Sequence, residues 1–531
     1  MVLGMTTKFQ RRKALKALPP DLYGSFRGII TRIRECPIGN QAELGMRVLM
    51  WLHFAYRPLQ LVELQHALAV EVGHTEFEAD NIPSRKTLLD CCLGLAVVDD
   101  ETLTVRFVHY TVEEYFRDNT KTEFPNGCSS IAETCLTYLN FGTLRQHCMD
   151  SDSLDNIRNN YAFLNYAALY WGTYFKQQGS DALTELIIII VDHKTECPPC
   201  AIQALYRQLS PELSFPQRFS GIHAIAYFGL SDIMVYLSQR EWNMELKDDC
   251  AWTPLSWAAE AGHEAVVRQL IERGDVNINT KDTNRHTPLS LAAGAGHEAV
   301  VRLLVERSDV DIDSKNKRGR TPLFLAVENE HVAVVRLLVG RSDVDINAKS
   351  YFFEQTPLTT AAENGNEAIV RLLIGRDDVD INFSDWSRRT PLLLAVASGH
   401  VAVVRLLVGR SDADINAKTP LGRTSLAMAA AIGNETIVRL LIGRDDIDIN
   451  TEDIRGLTPL SFAAQGGYEA IVRLLINRDD IDINAEDIRG QTPLSYAAQG
   501  GYEAIVRLLQ ARSLDPVLGD VAGASLRPRA R

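Results

Sequence analysis

Chemistry-bearing motifs are scarce in this chain of 531 residues. No G-x-x-x-x-G-K-[ST] string occurs, so a loop whose amides and lysine cradle nucleotide phosphates is missing. Long apolar runs are missing too. The most hydrophobic run, Leu186 to Val191, falls far short of the roughly 20 residues a membrane helix needs. The basic N-terminus has no apolar stretch and cleavage site after it, so no secretory leader is read there. Excess positive charge is absent: the formal net charge is −13. Residues 1–216 hold 20 basic and 25 acidic side chains, and residues 217–531 hold 35 and 43. Both parts are mildly acidic, which argues against general nucleic-acid binding. Nine cysteines, eight of them before residue 216, make no even disulfide framework. They point to a reduced, intracellular setting, cytoplasmic with the nucleus left open.

What the chain has is a period. T-P-L begins at Thr253, Thr287, Thr321, Thr356, Thr390, Thr458 and Thr492, and T-S-L begins at Thr424. The steps are 34 residues except for one of 35, from Thr321 to Thr356. A fixed period in this range means stacked supersecondary units. Such a stack presents a long concave surface and supplies no chemistry by itself.

Each unit reads the same way. In TPLSFAAQGGYEAIVRLLINRDDIDIN, Thr458 can cap the first turn and Pro459 suits the first helical position, where its missing N–H costs nothing. Gly466-Gly467 ends that helix. A second helix runs through Glu469 to Ile476, with Glu469 and Arg473 in the favourable i, i+4 order. The D-[IV]-D-I-N stretch alternates, so an extended finger ending in a turn is expected.

Helix, turn, helix and finger opening on T-P-L resembles the ankyrin repeat, in register eight times. A degenerate ninth copy stands at Ser220-Gly221-Ile222-His223-Ala224-Ile225-Ala226. The resemblance implies a mostly α-helical solenoid of about nine units that binds protein on its concave face and finger tips. The family's usual His after T-P-L survives only as His223. That His ties adjacent repeats in the family, so its loss is expected to loosen the stack slightly.

Before the array, helices are expected at Asp21 to Arg34, Glu43 to Phe54, Leu61 to Val70 and, capped by Ser84, Arg85 to Leu95. A hairpin follows from Ala96 to Phe107, then a helix opened by His109. This winged-helix-like order resembles the region after the nucleotide-binding module of fungal NACHT or STAND receptors, also labelled as like a part of GPI inositol-deacylase. Leu18-Pro19-Pro20-Asp21-Leu22, Arg57-Pro58-Leu59, Val105-Arg106-Phe107-Val108-His109 and Val112-Glu113-Glu114-Tyr115-Phe116 carry the resemblance. Cys135 to Leu139 and Leu164 to Trp171 look like that family's helical bridge. The P-loop of those receptors is absent, so nucleotide switching is not carried over.

The expected organisation is a basic segment at 1–20, a winged-helix-like domain at 21–125, a helical bridge at 126–215, ankyrin repeats at 216–512 and a flexible tail at 513–531. Cys197-Pro198-Pro199-Cys200 lacks a second ligand pair beyond His193 and is read as packing. With no nucleophile motif beside it, His109 is read as structural. The third helix of the winged helix offers only Arg85 and Lys86 to phosphates.

The finger tips vary while the framework does not. Large aromatics and Arg concentrate there, at Trp252, Arg318, Arg320, Tyr351, Phe352, Phe353, Trp386, Arg388, Arg389 and Arg423; these are the residue types of binding hot spots. For Arg455 and Arg489, pairing with a neighbouring Asp is the preferred reading. The function expected is a non-catalytic protein-interaction scaffold or sensing arm, with no cofactor, metal or small-molecule substrate. A fragment of a nucleotide-dependent switch whose NTPase module lies outside this chain is the alternative, and a DNA-associated regulator the third reading.

Overall fold

A computed structural model describes residues 21–146, 148, 150–191, 199–210, 218–240 and 242–513. The basic segment, His193, Cys197 and nearly all of the expected tail lie outside the described residues. The chain forms two compact units, Met1–Asn277 and Ile278–Arg531.

In the first unit, α1 (Asp21–Arg34) and α2 (Gln41–Phe54) come first. Then follow β1 (Leu59–Gln60), α3 (Leu61–Leu68), α4 (Arg85–Asp90), β2 (Ala96–Val98), β3 (Thr104–Phe107) and α5 (Tyr110–Glu123). The sheet is antiparallel in the order β1-β3-β2, with Leu59 opposite Val105 and Ala96 opposite Phe107. The hairpin was legible; β1 was not, because two residues show no alternation. The third helix ends at Asp90, short of Leu95, because Leu93 and Gly94 turn left-handed at φ 46° and 83°. His109 is the N-cap of α5, its ring Nδ1 accepting the Thr111 N–H at 3.3 Å. Arg85 is held by Asp100 at 2.6 Å, and among the described residues Lys86 is the cation of α4 with no ion pair.

The helices Gly127–Leu139 and Leu164–Gln178 pack together, and the Trp51 indole meets Phe163 edge-on at 5.3 Å. Cys200 pairs with Cys148 in a disulfide across 52 residues. This differs from the reading of Cys200 as a packing residue in a chain without a disulfide framework: Gln203 hydrogen-bonds both the N–H and the C=O of Cys148, bringing two distant segments together. Two helix pairs of the repeat close this unit, Gly221–Phe228 with Ser231–Ser238 and Pro254–Glu260 with Glu264–Glu272. His223 is fully buried between the Ser220 N–H and the Leu246 carbonyl, at 3.0 and 2.9 Å. Burial pushes its pKa down to about 4.

Among its described residues the second unit holds seven helix pairs, from Pro288–Ala295 with Glu298–Val305 to Pro493–Gln499 with Glu503–Ser513. Each first helix starts on a threonine hydroxyl accepting the N–H three residues on, as Thr356 does from Thr359 at 3.3 Å. Each second helix buries one apolar stripe, for example Ile369, Val370, Leu373 and Ile374. Burying such a side chain stabilises by about 1.5–3 kcal/mol, so stacking holds the array together.

The missing histidines are replaced twice over. Ser290 and Thr359, at the customary His position, close reciprocal capping boxes with Thr287 and Thr356. Between repeats, the Nε2 of His331 reaches the Gly294 carbonyl at 2.9 Å and that of His400 reaches Glu363 at 3.0 Å. Each imidazole lies over a left-handed glycine: Gly365 has φ +79°, and a Cβ there would sit 2.5 Å from the His400 ring. The stack is therefore tied at a different place.

The D-[IV]-D-I-N stretch forms no strand among the described residues. Its asparagine instead bridges repeats by its side chain. Asn382 Nδ2 donates to the Asp412 carbonyl at 2.7 Å, and its Oδ1 accepts the Asp414 N–H at 2.7 Å. Asn279, Asn347, Asn416 and Asn450 repeat the arrangement. Asp313 departs from it. Its Oδ2 accepts the Asp345 N–H at 3.0 Å, while its buried Oδ1 has no hydrogen-bond partner among the described residues.

Candidate functional site

Each finger tip is built on one small polar side chain. Asn316 Oδ1 accepts the N–H groups of Arg318 and Arg320, at 2.9 and 3.0 Å, and Asp385 Oδ1 accepts those of Ser387 and Arg389, at 2.9 and 2.8 Å. The main chain closes the turn, with the N–H of Asn316 donating to Arg320 and that of Ser350 to Gln355. The Ser350 turn is one residue wider, so the extra residue of the 35-residue step lies in the finger carrying Tyr351, Phe352 and Phe353.

Successive tips hydrogen-bond to one another. The Tyr351 N–H donates to Arg318 at 2.8 Å, Trp386 to Phe353 at 3.2 Å, Ile454 to Leu421 at 3.0 Å and Ile488 to Arg455 at 3.0 Å. One rung is missing because the donor position is Pro420, which has no N–H.

The aromatic side chains of these tips face solvent: Tyr351 is 57% exposed, Phe352 73%, Phe353 51% and Trp386 62%. The Phe353 and Trp386 rings lie 6.4 Å apart, and Tyr351 rests on Gly319. These four come together as one patch. Trp252 does not join them; it belongs to the first unit, half-buried with its ring 4.7 Å from Trp257.

The arginines divide into two groups. Arg320 binds Glu328 at 2.6 Å beside the Phe324 ring. Arg389 binds Asp385 at 2.8 Å and nears Glu363, while Arg423 lies over Phe462 with Asp453 at 3.6 Å. These three are engaged inside the fold. Arg318 and Arg388 are exposed, with no ion pair among the described residues, and flank the aromatic patch. Arg455 leans on Asp453 at 3.5 Å.

The residue just before the one whose carbonyl closes each turn is left-handed. It is glycine at Gly319, Gly422, Gly456 and Gly490, and a residue with a side chain at Arg285 (φ 64°), Glu354 (φ 49°) and Arg388 (φ 55°). A side chain there costs on the order of 1 kcal/mol. Glu354 spends its charge on Lys349 at 3.7 Å; Arg388 points its charge outward.

Leu421, Ile454 and Ile488, not among the tip residues singled out from the sequence, are 52%, 64% and 73% exposed on the following tips. The signal was present in the twice-repeated D-I-R-G, where isoleucine occupies the register position of Tyr351 and Trp386. Among the described residues no three His, Cys, Asp or Glu side chains converge as a metal site, and no helix is long and apolar enough to cross a membrane.

A helix pair per period, a finger per pair and side-chain ties between neighbours define a repeat solenoid. The chain belongs to the ankyrin-repeat family: the family described as ankyrin repeats (3 copies) matches at 201–282, 222–316, 274–350, 343–419 and 421–520, over half the chain. The family described as GPI inositol-deacylase, winged helix domain, matches residues 37–125. Among solved structures, the chain is similar to the ankyrin repeat domain of Bcl-3, described as a unique member of the IkappaB protein family. That match has 27% identity and a TM-score of 0.39 and covers 42% of this chain and 98% of that one. No curated protein matches. Ankyrin repeats generally mediate protein–protein contacts through their concave face, so family membership supports an interaction fold and not an enzyme.

Proposed function

We propose that this protein is a non-catalytic scaffold or sensing arm that captures a protein partner on the finger tips of its second unit. The observation that carries the reading is the exposed patch of Tyr351, Phe352, Phe353 and Trp386, presented on tips whose backbone is rigidly cross-linked. Four large aromatics left in water on one edge are uncommon for a folded surface and mark an interaction site. Arg318 and Arg388 give that patch a cationic border, which favours an acidic, apolar-anchored partner surface.

A finer reading, in which the first unit passes the bound state onward as in NACHT or STAND receptors, rests on the sequence resemblance alone; the family match at 37–125 bears on a winged helix there. Concave-face contacts would add to the tips. Replacing Phe352, Phe353 and Trp386 together by Ala tests the proposal. Affinity capture of the partner from the source cells should be lost while helicity and melting stay nearly unchanged. A collapse of the fold would make the aromatics inter-finger packing and would end the proposal.

A further inference from the structure

Beyond the aromatic patch, the tips carry an apolar column. The in-register positions from the aromatic finger onward are Tyr351, Trp386, Pro420, Ile454 and Ile488, all exposed. Their backbones are tied from tip to tip by the rungs already described, apart from the one at Pro420. Each repeat therefore offers one anchor, spaced by about one helix-packing distance of 10 Å.

Charge follows the same edge. Residues 317–320, 351–354, 386–389, 420–423, 454–457 and 488–491 hold eight basic side chains and one acidic, in a chain whose formal charge is −13. The acid, Glu354, is neutralised by Lys349. Arg320, Arg389, Arg423 and Arg455 are paired with acids of the fold, so the basic border of this apolar line is Lys317, Arg318, Arg388 and Arg489, exposed and with no ion pair among the described residues.

We infer that this column docks one acidic amphipathic α-helix of a partner, laid lengthwise along the tips, with an apolar residue every seventh position. The warrant is spacing. Seven residues of α-helix rise about 10.5 Å, close to the repeat step of about 10 Å. A β-strand cannot match it, because residues three apart point to opposite faces. A helix also sets acidic residues along both borders of its apolar stripe, where the arginines of the edge can meet them. The inference rests on the tips being the binding edge, and adds what binds and how far the contact extends.

The test uses the full chain and synthetic peptides. The first carries Leu every seventh residue with Glu flanking, long enough at about 30 residues to span all five tips. The second has the same composition with the leucines irregularly spaced. The third is a proline-rich acidic peptide with leucines every third residue. Fluorescence anisotropy should show saturable binding of the first alone. Ile454→Asp and Ile488→Asp should each weaken it about tenfold, and photo-crosslinks from successive leucines should reach successive tips in order. Equal binding of the second peptide, preference for the third, or indifference to both Ile changes would overturn the inference. So would self-association of the chain that Ile488→Asp abolishes without any peptide binding. If Trp386→Ala abolishes capture of the cellular partner while both Ile changes leave it intact, the helix inference fails and the proposed function stands. If neither change affects capture, both fail.

Discussion

Asp313→Asn should stabilise the second unit. At this position Asn279, Asn347, Asn382, Asn416 and Asn450 bond both a carbonyl and an N–H of the next repeat, and Asp313 makes only the second bond. Its Oδ1 is buried with no hydrogen-bond partner among the described residues. By register, an Nδ2 there faces the Asp343 carbonyl, as that of Asn382 faces Asp412. One restored hydrogen bond contributes about 0.5–1.5 kcal/mol, and relieving an unsatisfied buried oxygen contributes about 1–3 kcal/mol. The two overlap, so a net gain of about 1–2 kcal/mol is expected at neutral pH. For a unit of this size that raises Tm by about 2–8 °C.

The sign with pH is fixed as well. Burial raises the pKa of Asp313, and the carboxylates of Asp345, Asp311 and Asp343 raise it further. Its folded state therefore holds the proton more tightly than the unfolded state. This contribution is fully present below the ordinary carboxylate value of about 3.9 and is lost as pH rises through the folded pKa. A protonated Asp313 can donate as asparagine does, so the advantage of the variant should shrink on acidification. Paired thermal melts of parent and variant across pH, with hydrogen exchange at residues 343–347, measure this. No gain at pH 7, or a gain that does not change on acidification, would refute the reasoning.

Arg388→Gly relieves a left-handed side chain and should raise stability by up to about 1 kcal/mol while weakening capture of an acidic partner; a melt and a binding titration on one preparation read both, and unchanged affinity counts against a role for Arg388. Gly365→Val forces a branched side chain into φ +79° and into the His400 ring, so a loss of at least about 2 kcal/mol is expected in denaturant titration. His223 is buried neutral with its pKa at about 4. The stability it contributes is present above its unfolded value of about 6.5 and is lost as pH falls through the folded value. His223→Gln should flatten the stability profile of the first unit in that window, followed by hydrogen exchange at residues 221–228.

Much of the repeat was legible because its signals are local. Threonine before Pro-Leu caps a helix wherever it stands, and Glu469 finds Arg473 one turn away at 2.6 Å. The asparagine bridges were not legible, since the two halves of each lie 30 or more residues apart and look like an alternating strand. The same limit applied at the tips. Exposure of the aromatics followed from their crowding in a turn. Which arginines were spoken for depended on acids brought up by the fold, such as Glu328 eight residues from Arg320. In the first unit, the Cys148–Cys200 pair joins segments that no spacing rule connects.

The inserted residue of the 350–355 turn leaves the scaffold undisturbed. Asn347 spans the insertion and still reaches Asp378 and Asp380, at 2.7 and 2.8 Å. Register is kept by one layer and the exposed aromatics are displayed by another. A tip can therefore lengthen or change composition without shifting the repeats that follow, as a hypervariable loop does on a fixed frame. For protein engineering, residues 351–354 are where randomised segments of differing length can be inserted and selected, with the neighbouring repeats left untouched.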